Sequence, residues 1–475
     1  MNLPLLQNYI NGALVEAQTS QTREVIDPST EEAVAVMPLS GPADVDQAMA
    51  AASEAFQSFR ATTPGQRQKY LLDLADAVEA NSDALVEAQH RNTGQLRPFI
   101  ASEEVTVGAD QLRFFAGAAR LLEGIGAGEY APGFTSYVRR EPLGVVAQIA
   151  PWNYPLMMAI WKVAPALAAG DTIVLKPAST TPESTVLFAQ IAGEILPKGV
   201  FNVLLGNAGM GEQMVSHPTP QMVSITGSVE AGRSVAHAAE GTLKRCHLEL
   251  GGKAPFVVFA DADLEAAADQ AVGAGFFNAG QDCTAATRVL VEKSVYDQFV
   301  ALLVQKAEAT RTGNSDDPDT YYGPLNSANQ LAHVTEFIEH LPSHATVATG
   351  GHRVGDKGYY FAPTVVTGVH QDDAIVQQEV FGPVITVQPF DTADEAIALA
   401  NGVDFGLASS VWTSSNAIAM RFSRELDFGC VWVNTHIPLA AEFPHGGFKY
   451  SGYGKDLSHY AVEEYTRVKH IMTAI

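Results

Sequence analysis

The stretch Gly144-Val145-Val146-Ala147-Gln148-Ile149-Ala150, then Pro151-Trp152-Asn153-Tyr154-Pro155, an alanine-rich run over 157–169 and Thr172-Ile173-Val174-Leu175-Lys176, decides the fold. Two short β-branched runs flank a helical segment, which is the rhythm of a βαβ unit. The rhythm continues through 184–195, 200–205, 212–216, 222–226 and 229–239, predicting a parallel, doubly wound sheet with a nucleotide site at the carboxyl ends of its strands. After Gly251-Gly252 it restarts with a strand over 255–259, a helix over 265–277, a strand over 288–292 and a helix over 295–310, so a second α/β unit is expected there. Upstream, 44–59 and 63–88 carry apolar residues at helical spacing and read as amphipathic helices. The alternating segment 464–472 and the similar Tyr137-Val138-Arg139-Arg140 read as strands of an arm that pairs across subunits, because an edge strand needs a partner.

Composition narrows the function classes. The 475 residues are 47% hydrophobic and 17% charged, a globular balance rather than a disordered one. A formal charge of -24 repels phosphate backbones and anionic lipid, so nucleic acid is not an expected partner. The most apolar region, 143–161, is interrupted by Gln148, Pro151, Asn153 and Pro155, which argues against a membrane span. Cys246, Cys283 and Cys430 form no CxxC pair and are too few for a disulfide framework. With no basic-apolar export signal at the start, a cytoplasmic location is expected.

Chemistry concentrates at two motifs. In Asn278-Ala279-Gly280-Gln281-Asp282-Cys283-Thr284, small and polar neighbours surround a thiol, which reads as a nucleophile. In Leu248-Glu249-Leu250-Gly251-Gly252-Lys253, an apolar setting for Glu249 raises a carboxyl pKa toward general-base duty. Asn153 follows a strand end, where its amide can donate to an oxyanion or simply close a turn. Lys176, also at a strand end, is placed either for a nucleotide or in solvent. Ser224-Ile225-Thr226-Gly227-Ser228 ends a strand with a glycine that permits close backbone approach and a serine that can cap the next helix. The glycine runs 124–128 and 206–211 lack dinucleotide spacing and read as turns. No metal-ligand cluster and no GxSxG elbow is found, so no metal is expected.

Pro151-Trp152-Asn153, Leu175-Lys176-Pro177-Ala178, Ile225-Thr226-Gly227-Ser228, the Glu249 and Cys283 motifs and Glu379-Val380-Phe381-Gly382-Pro383 together resemble the NAD(P)-dependent aldehyde dehydrogenase superfamily, in order and over essentially the whole chain. The resemblance implies an α/β fold with a Rossmann-type cofactor domain at 1–123 and 143–251, an α/β catalytic domain at 252–455, and a β oligomerisation arm at 124–142 and 456–475 of a homodimer or homotetramer. It implies that Cys283 attacks the aldehyde, that Asn153 and the Cys283 N–H hold the oxyanion, and that Glu249 activates the water that releases a free acid. NAD or NADP would be held by Trp152, Lys176, Gly227, Ser228, Glu379 and Phe381. At Ser179 many NAD-preferring relatives carry glutamate, so NADP should be tolerated.

Within the superfamily the chain is most similar to 4-aminobutyraldehyde (1-pyrroline) dehydrogenases, through Phe114-Phe115-Ala116-Gly117-Ala118-Ala119-Arg120, the Cys283 segment, Val433-Asn434-Thr435-His436 and Pro444-His445-Gly446-Gly447. That implies a tunnel with Asp110, Asp282, Tyr154 and Trp161, where carboxylates pair an ammonium and rings offer cation-π contact, and with His445 in place of the aromatic ring of many relatives. Each residue has a plainer reading, as helix-surface carboxylate, cap or tunnel wall. Succinate semialdehyde, betaine aldehyde and arylacetaldehydes are the alternative substrates. A cofactor-free thiol esterase or a silent binding protein is the alternative of another class.

Overall fold

A computed structural model describes residues 3–475. Strands Phe201–Val203, Thr172–Lys176, Val145–Ile149, Met222–Thr226 and Arg245–Glu249 lie in that spatial order and run parallel. All but Arg245–Glu249, whose first two residues reach the surface, are buried almost throughout, as a helix-covered parallel sheet requires. Antiparallel Asn8–Ile10 and Ala13–Val15 close one edge and Gly452–Tyr453 the other, giving eight strands. Chain order reverses between Val145–Ile149 and Met222–Thr226, so the crevice of a doubly wound sheet opens where these two strands end, at Pro151-Trp152-Asn153 and Gly227-Ser228.

Between the first two parallel strands runs the helix Pro155–Ala169, apolar all round and buried almost throughout, as expected of a core helix. Pro155 sits in its first turn, where its missing N–H costs nothing, and Gly170 at φ +100° closes the other end. The single helix expected over 63–88 is two, Pro64–Ala80 and Ser82–Thr93. Asn81 breaks it, its side chain donating back to the Ala77 carbonyl at 2.8 Å.

The second sheet holds seven strands in the order Thr346–Thr349, Thr364–Thr367, Val384–Phe390, Arg288–Glu292, Pro255–Val258, Ala408–Trp412, Cys430–Val433, all parallel except the first pair. Its restart at Pro255 matches the sequence reading. A third sheet pairs Thr466–Ala474 along its whole length with Phe134–Pro142, flanked by Gly128–Ala131, so the two polar strands do form an arm, within one chain. Thr466–Ala474 is left as an open edge.

Near its end the chain crosses back. Gly452–Tyr453, grouped by sequence with the second unit, hydrogen-bonds to the first sheet. The helix Ser458–Glu464, grouped with the arm, buries Ala461 and Val462 in the first core. Both crossings carry residues 445–456 past the end of the strand bearing Glu249.

Candidate active site

Cys283 is presented by a strained turn. Asn278, Ala279 and Gly280 stand consecutively at φ +49°, +59° and +68°, a left-handed run costing about 1–2 kcal/mol at each non-glycine residue. Buried hydrogen bonds hold it. Gln281 donates to the Asn278 carbonyl at 3.1 Å and accepts from the Asn326 N–H at 2.8 Å, while the Asn278 amide donates to the Asn153 carbonyl at 2.9 Å. A Cβ on Gly252 would lie 2.0 Å from the Cys283 carbonyl oxygen, and one on Gly251 2.2 Å from Glu379 Oε2, so this glycine pair makes room for both.

The Asn153 amide donates to the Gln281 carbonyl at 3.1 Å, which fixes it beside the turn. Burial, reinforced by Asp282, Glu379 and Glu249, pushes the Cys283 thiol well above its ordinary value, so it rests protonated. Burial, and then Asp456, raises Glu249 strongly as well; its Oε1 has no hydrogen-bond partner. Glu379 accepts from the Gly252 N–H at 2.7 Å, and burial lifts it to about 7.

These groups share one cavity of about 370 Å³, together with Trp152, Tyr154, Met157, Met158, Trp161, Thr226, Gly227, Ser228, Phe381, Leu439, His445 and Asp456. Its carboxylates are Glu249, Asp282, Glu379 and Asp456, and no lysine or arginine lines it. The Asp282 carboxylate accepts from the Tyr154 hydroxyl at 2.5 Å and from the Thr284 N–H and hydroxyl at 2.6 Å each, so the capping reading of Asp282 holds while it still faces the cavity. Trp161 donates to Gln111 at 2.7 Å and meets the His445 ring edge-on at 5.2 Å. Burial lowers the pKa of His445, and its Nδ1 is unpartnered. Asp110 is the exception among the tunnel residues. It is exposed on the helix Val107–Ala118 and absent from the cavity wall, because that helix turns Gln111 rather than Asp110 toward Trp161.

A second cavity, about 740 Å³, adjoins along the strand ends, lined by Lys176, Gly209, Gly211, Glu212, Ser228, Glu230 and Val235 among others. Ser228 caps the helix Val229–Glu240, its hydroxyl accepting from the Ala231 N–H at 3.2 Å. The glycine run 206–211 is not a turn. Asn207 accepts from the Met210 N–H at 3.1 Å and starts the helix Ala208–Ser216, so Gly211 leaves room for Lys176 against the helix. Ser179 accepts from Arg23 at 3.2 Å. The cleft suits a dinucleotide: a helix capped at the switch point, an unpartnered Thr226 hydroxyl, and a buried Lys176 bonded only to the Pro177 carbonyl at 3.2 Å.

Several supporting residues escaped the sequence reading. Glu104, which burial raises to about 8, accepts from the Leu156 and Met157 N–H groups at 3.1 Å each and caps from outside the helix that follows Asn153. Gln95 donates to the Asn153 carbonyl at 2.7 Å. His436, which burial holds neutral at about 4, bridges Ser410 and the Thr284 carbonyl at 2.7 Å each. Beneath Glu249 lies a buried ionic group. Asp456 stands 4.0 Å from the Lys162 ammonium and 3.1 Å from His247 Nε2, and His247 Nδ1 meets Glu464 at 2.7 Å. Burial alone would lower His247, but Asp456 and Glu464 outweigh it and raise it to about 9. Lys162 and His247 in turn hold Asp456 below its ordinary value against its own burial.

Comparison with known proteins agrees with this geometry. The aldehyde dehydrogenase family matches residues 14–471. A betaine aldehyde dehydrogenase of Bacillus subtilis (strain 168) is 39% identical over 472 residues, covering 98% of this chain and 96% of the relative. The chain belongs to the aldehyde dehydrogenase family. Betaine aldehyde dehydrogenase of Staphylococcus aureus, solved in complex with NAD+, superposes with a TM-score of 0.96 at 37% identity, over 98% of this chain and 95% of that one. A point mutant of it, solved with NAD+ and a BME-modified cysteine, gives 0.96 at 36% identity over 98% and 97%. This aldehyde dehydrogenase is therefore an NAD(P)-dependent oxidoreductase. The relatives bear the name betaine aldehyde dehydrogenase, one of the alternatives above, rather than aminobutyraldehyde dehydrogenase. Among the described residues no helix is long and apolar enough to cross a membrane.

Proposed function

We propose that the enzyme oxidises small aldehydes carrying a cationic nitrogen, a primary ω-ammonium such as that of 4-aminobutyraldehyde above all. One observation carries this reading: among the described residues four carboxyl groups and no lysine or arginine line the Cys283 cavity, together with Trp161 and Tyr154. Such a wall attracts a cation and repels an anionic semialdehyde. A primary ammonium also needs acceptors for its N–H groups, and the neutral, unpartnered His445 Nδ1 offers one. A trimethylammonium group needs only the rings, so betaine aldehyde, whose dehydrogenases are the named relatives, is the second reading.

In the proposed mechanism the Cys283 sulfur bonds to the aldehyde carbon. Its proton passes, directly or through water, to Glu249 in its ionised form, which burial makes strongly basic. The Asn153 amide and the Cys283 N–H donate to the oxyanion. NAD(P), when bound, supplies the hydride acceptor. Trp152, Lys176, Gly227, Ser228, Glu379 and Phe381 line its cleft, with Phe381 edge-on to Trp152 at 5.2 Å. Glu249 releases that proton to solvent and, ionised again, takes one from the water that attacks the thioester carbonyl; it returns this proton to the departing sulfur, restoring the thiol, and the carboxylic acid leaves. We read residues 1–123 and 143–251 as the cofactor domain and 252–455 as the catalytic domain. The open edge of Thr466–Ala474, with Val468 and Met472 exposed, supports a homodimer or homotetramer joined through the arm.

The test is kcat/KM for 4-aminobutyraldehyde, betaine aldehyde, an arylacetaldehyde and succinate semialdehyde. The expected order puts both cationic aldehydes first, the primary amine ahead of the quaternary, and succinate semialdehyde last. Preference for the arylacetaldehyde or for succinate semialdehyde would refute the charge reading.

A further inference from the structure

We infer that Glu104 is a positioning residue for the oxyanion site, fixing the peptide of Asn153 through Gln89 and Gln95 and so aiming the Asn153 amide at the reacting oxygen. The inference rests on the proposed role of Asn153 as an oxyanion donor. Glu104 is fully buried in a π-helical turn, Ile100–Thr106, set between the α-helical segments Arg97–Phe99 and Val107–Ala118. Such turns are rare and recur at functional sites. This one carries Glu104 to the start of the helix Pro155–Ala169, just beyond Asn153.

The local sequence explains why the cap comes from a distant segment. A helix is ordinarily capped by a short polar side chain at its first flanking position. Here that position is Tyr154, which makes no capping bond and whose hydroxyl donates to Asp282. Asn153, the other polar candidate, donates to the Gln281 carbonyl instead. Glu104 Oε2 accepts from the Leu156 and Met157 N–H groups in their place, which leaves both side chains to the cavity. A buried carboxyl is costly, and burial raises this one to about 8. Its hydrogen-bond partners are nevertheless all donors, which matches the ionised, acceptor-only form.

The carboxylate also sets the sense of a chain of amides. Because it can only accept, Gln89 turns its NH2 group toward it, which aims the Gln89 amide oxygen at the Leu156 N–H, at 3.3 Å. The same NH2 group donates to the Gln95 amide oxygen at 2.8 Å. Gln95 is thereby turned to donate twice, to the Asn153 carbonyl at 2.7 Å and to Asn278 Oδ1 at 3.0 Å. Asn278 in turn donates to the Asn153 carbonyl at 2.9 Å. Two amides thus hold one peptide oxygen, and the residue bearing the oxyanion amide is pinned beside the turn that presents Cys283.

Asn153→Ala, Glu104→Gln and the double variant test the coupling, each measured in the full-length enzyme as kcat/KM for aldehyde oxidation with saturating NAD. Glu104→Gln alone should cost about 10–100-fold, as a displaced catalytic group does, and less than about twofold when Asn153 is already alanine. Alkylation of Cys283 by iodoacetamide, followed by mass spectrometry, forms no oxyanion and should keep its rate in Glu104→Gln. Gln95→Leu breaks the amide chain while leaving Glu104 and its helix cap in place, and should reproduce the loss; it carries the test if Glu104→Gln fails to fold. A loss below about twofold in Glu104→Gln or Gln95→Leu, losses that multiply in the double variant, or alkylation slowed in step with oxidation would overturn the inference. Asn153→Ala at the parent rate would overturn the oxyanion reading and this inference with it.

Discussion

The cavity around Cys283 and the cavity at Lys176 lie along one cleft and differ in the sign of the ionisable groups that are buried at their walls. At the first, Glu249, Asp282, Glu379 and Asp456 crowd a thiol, and no lysine or arginine reaches the wall. At the second, the buried ionisable group is Lys176, without an ion pair, while the carboxylates of the wall, Glu212 and Glu230, are exposed. A net charge of -24 predicts neither arrangement. Average charge speaks to solubility and long-range attraction, whereas ligand choice is made by the few charges that burial leaves uncompensated.

The largest effect that would break the contrast is loss of the chemistry alone. Cys283→Ala should lower aldehyde oxidation by at least about 10⁴-fold. Nucleotide binding at Lys176 should persist, and thermal unfolding should be unchanged. Residual turnover near the parent rate would remove Cys283 as nucleophile.

Next is the ionic group that supports Glu249. Asp456→Ala strands buried Lys162 and leaves His247 with Glu464 alone, and should cost about 3–5 kcal/mol in urea unfolding. A cost under about 1 kcal/mol would mean that these charges are solvated.

The same group sets a pH dependence whose sign follows from His247. Its folded value, about 9, lies above the ordinary 6.5, so the stability it contributes is complete below about pH 6.5 and is lost as pH rises through about 9. The full difference is roughly 3 kcal/mol, an upper figure because the group is coupled to its neighbours. His247→Gln should flatten unfolding free energy between pH 6.5 and 9. An unchanged slope would assign the dependence to other groups.

The smallest expected effect is on selectivity. Asp282→Asn should lower kcat/KM for 4-aminobutyraldehyde about tenfold relative to a neutral aldehyde, since one of the four wall carboxylates is lost. Equal loss on both substrates would reduce Asp282 to its capping role toward Thr284 and Tyr154.

Much of this was legible in the sequence where a local pattern carries its own physics. The parallel strands, the switch-point segments at Asn153 and Gly227, and the restart at Pro255 follow from runs of β-branched residues between helical periods. The Ser228 cap was likewise readable, one residue before its helix. What escaped depends on contacts between distant segments. Glu104 caps a helix more than fifty residues away, and Arg23 reaches Ser179 across 156 positions. Asp456 meets Lys162 and His247 only because the chain recrosses the first sheet after Gly452. Asp110 failed in the opposite direction. A helix presents one face, and the register that buries Gln111 against Trp161 turns Asp110 outward.

The most direct test compares 4-aminobutyraldehyde with pentanal, which matches its chain length and replaces the ammonium by a methyl group. With saturating NAD at neutral pH, the carboxylate wall predicts kcat/KM at least about tenfold higher for the cationic aldehyde, with the advantage shrinking as salt is added. Equal values, or a preference for pentanal, would contradict recognition of a cation in the Cys283 cavity.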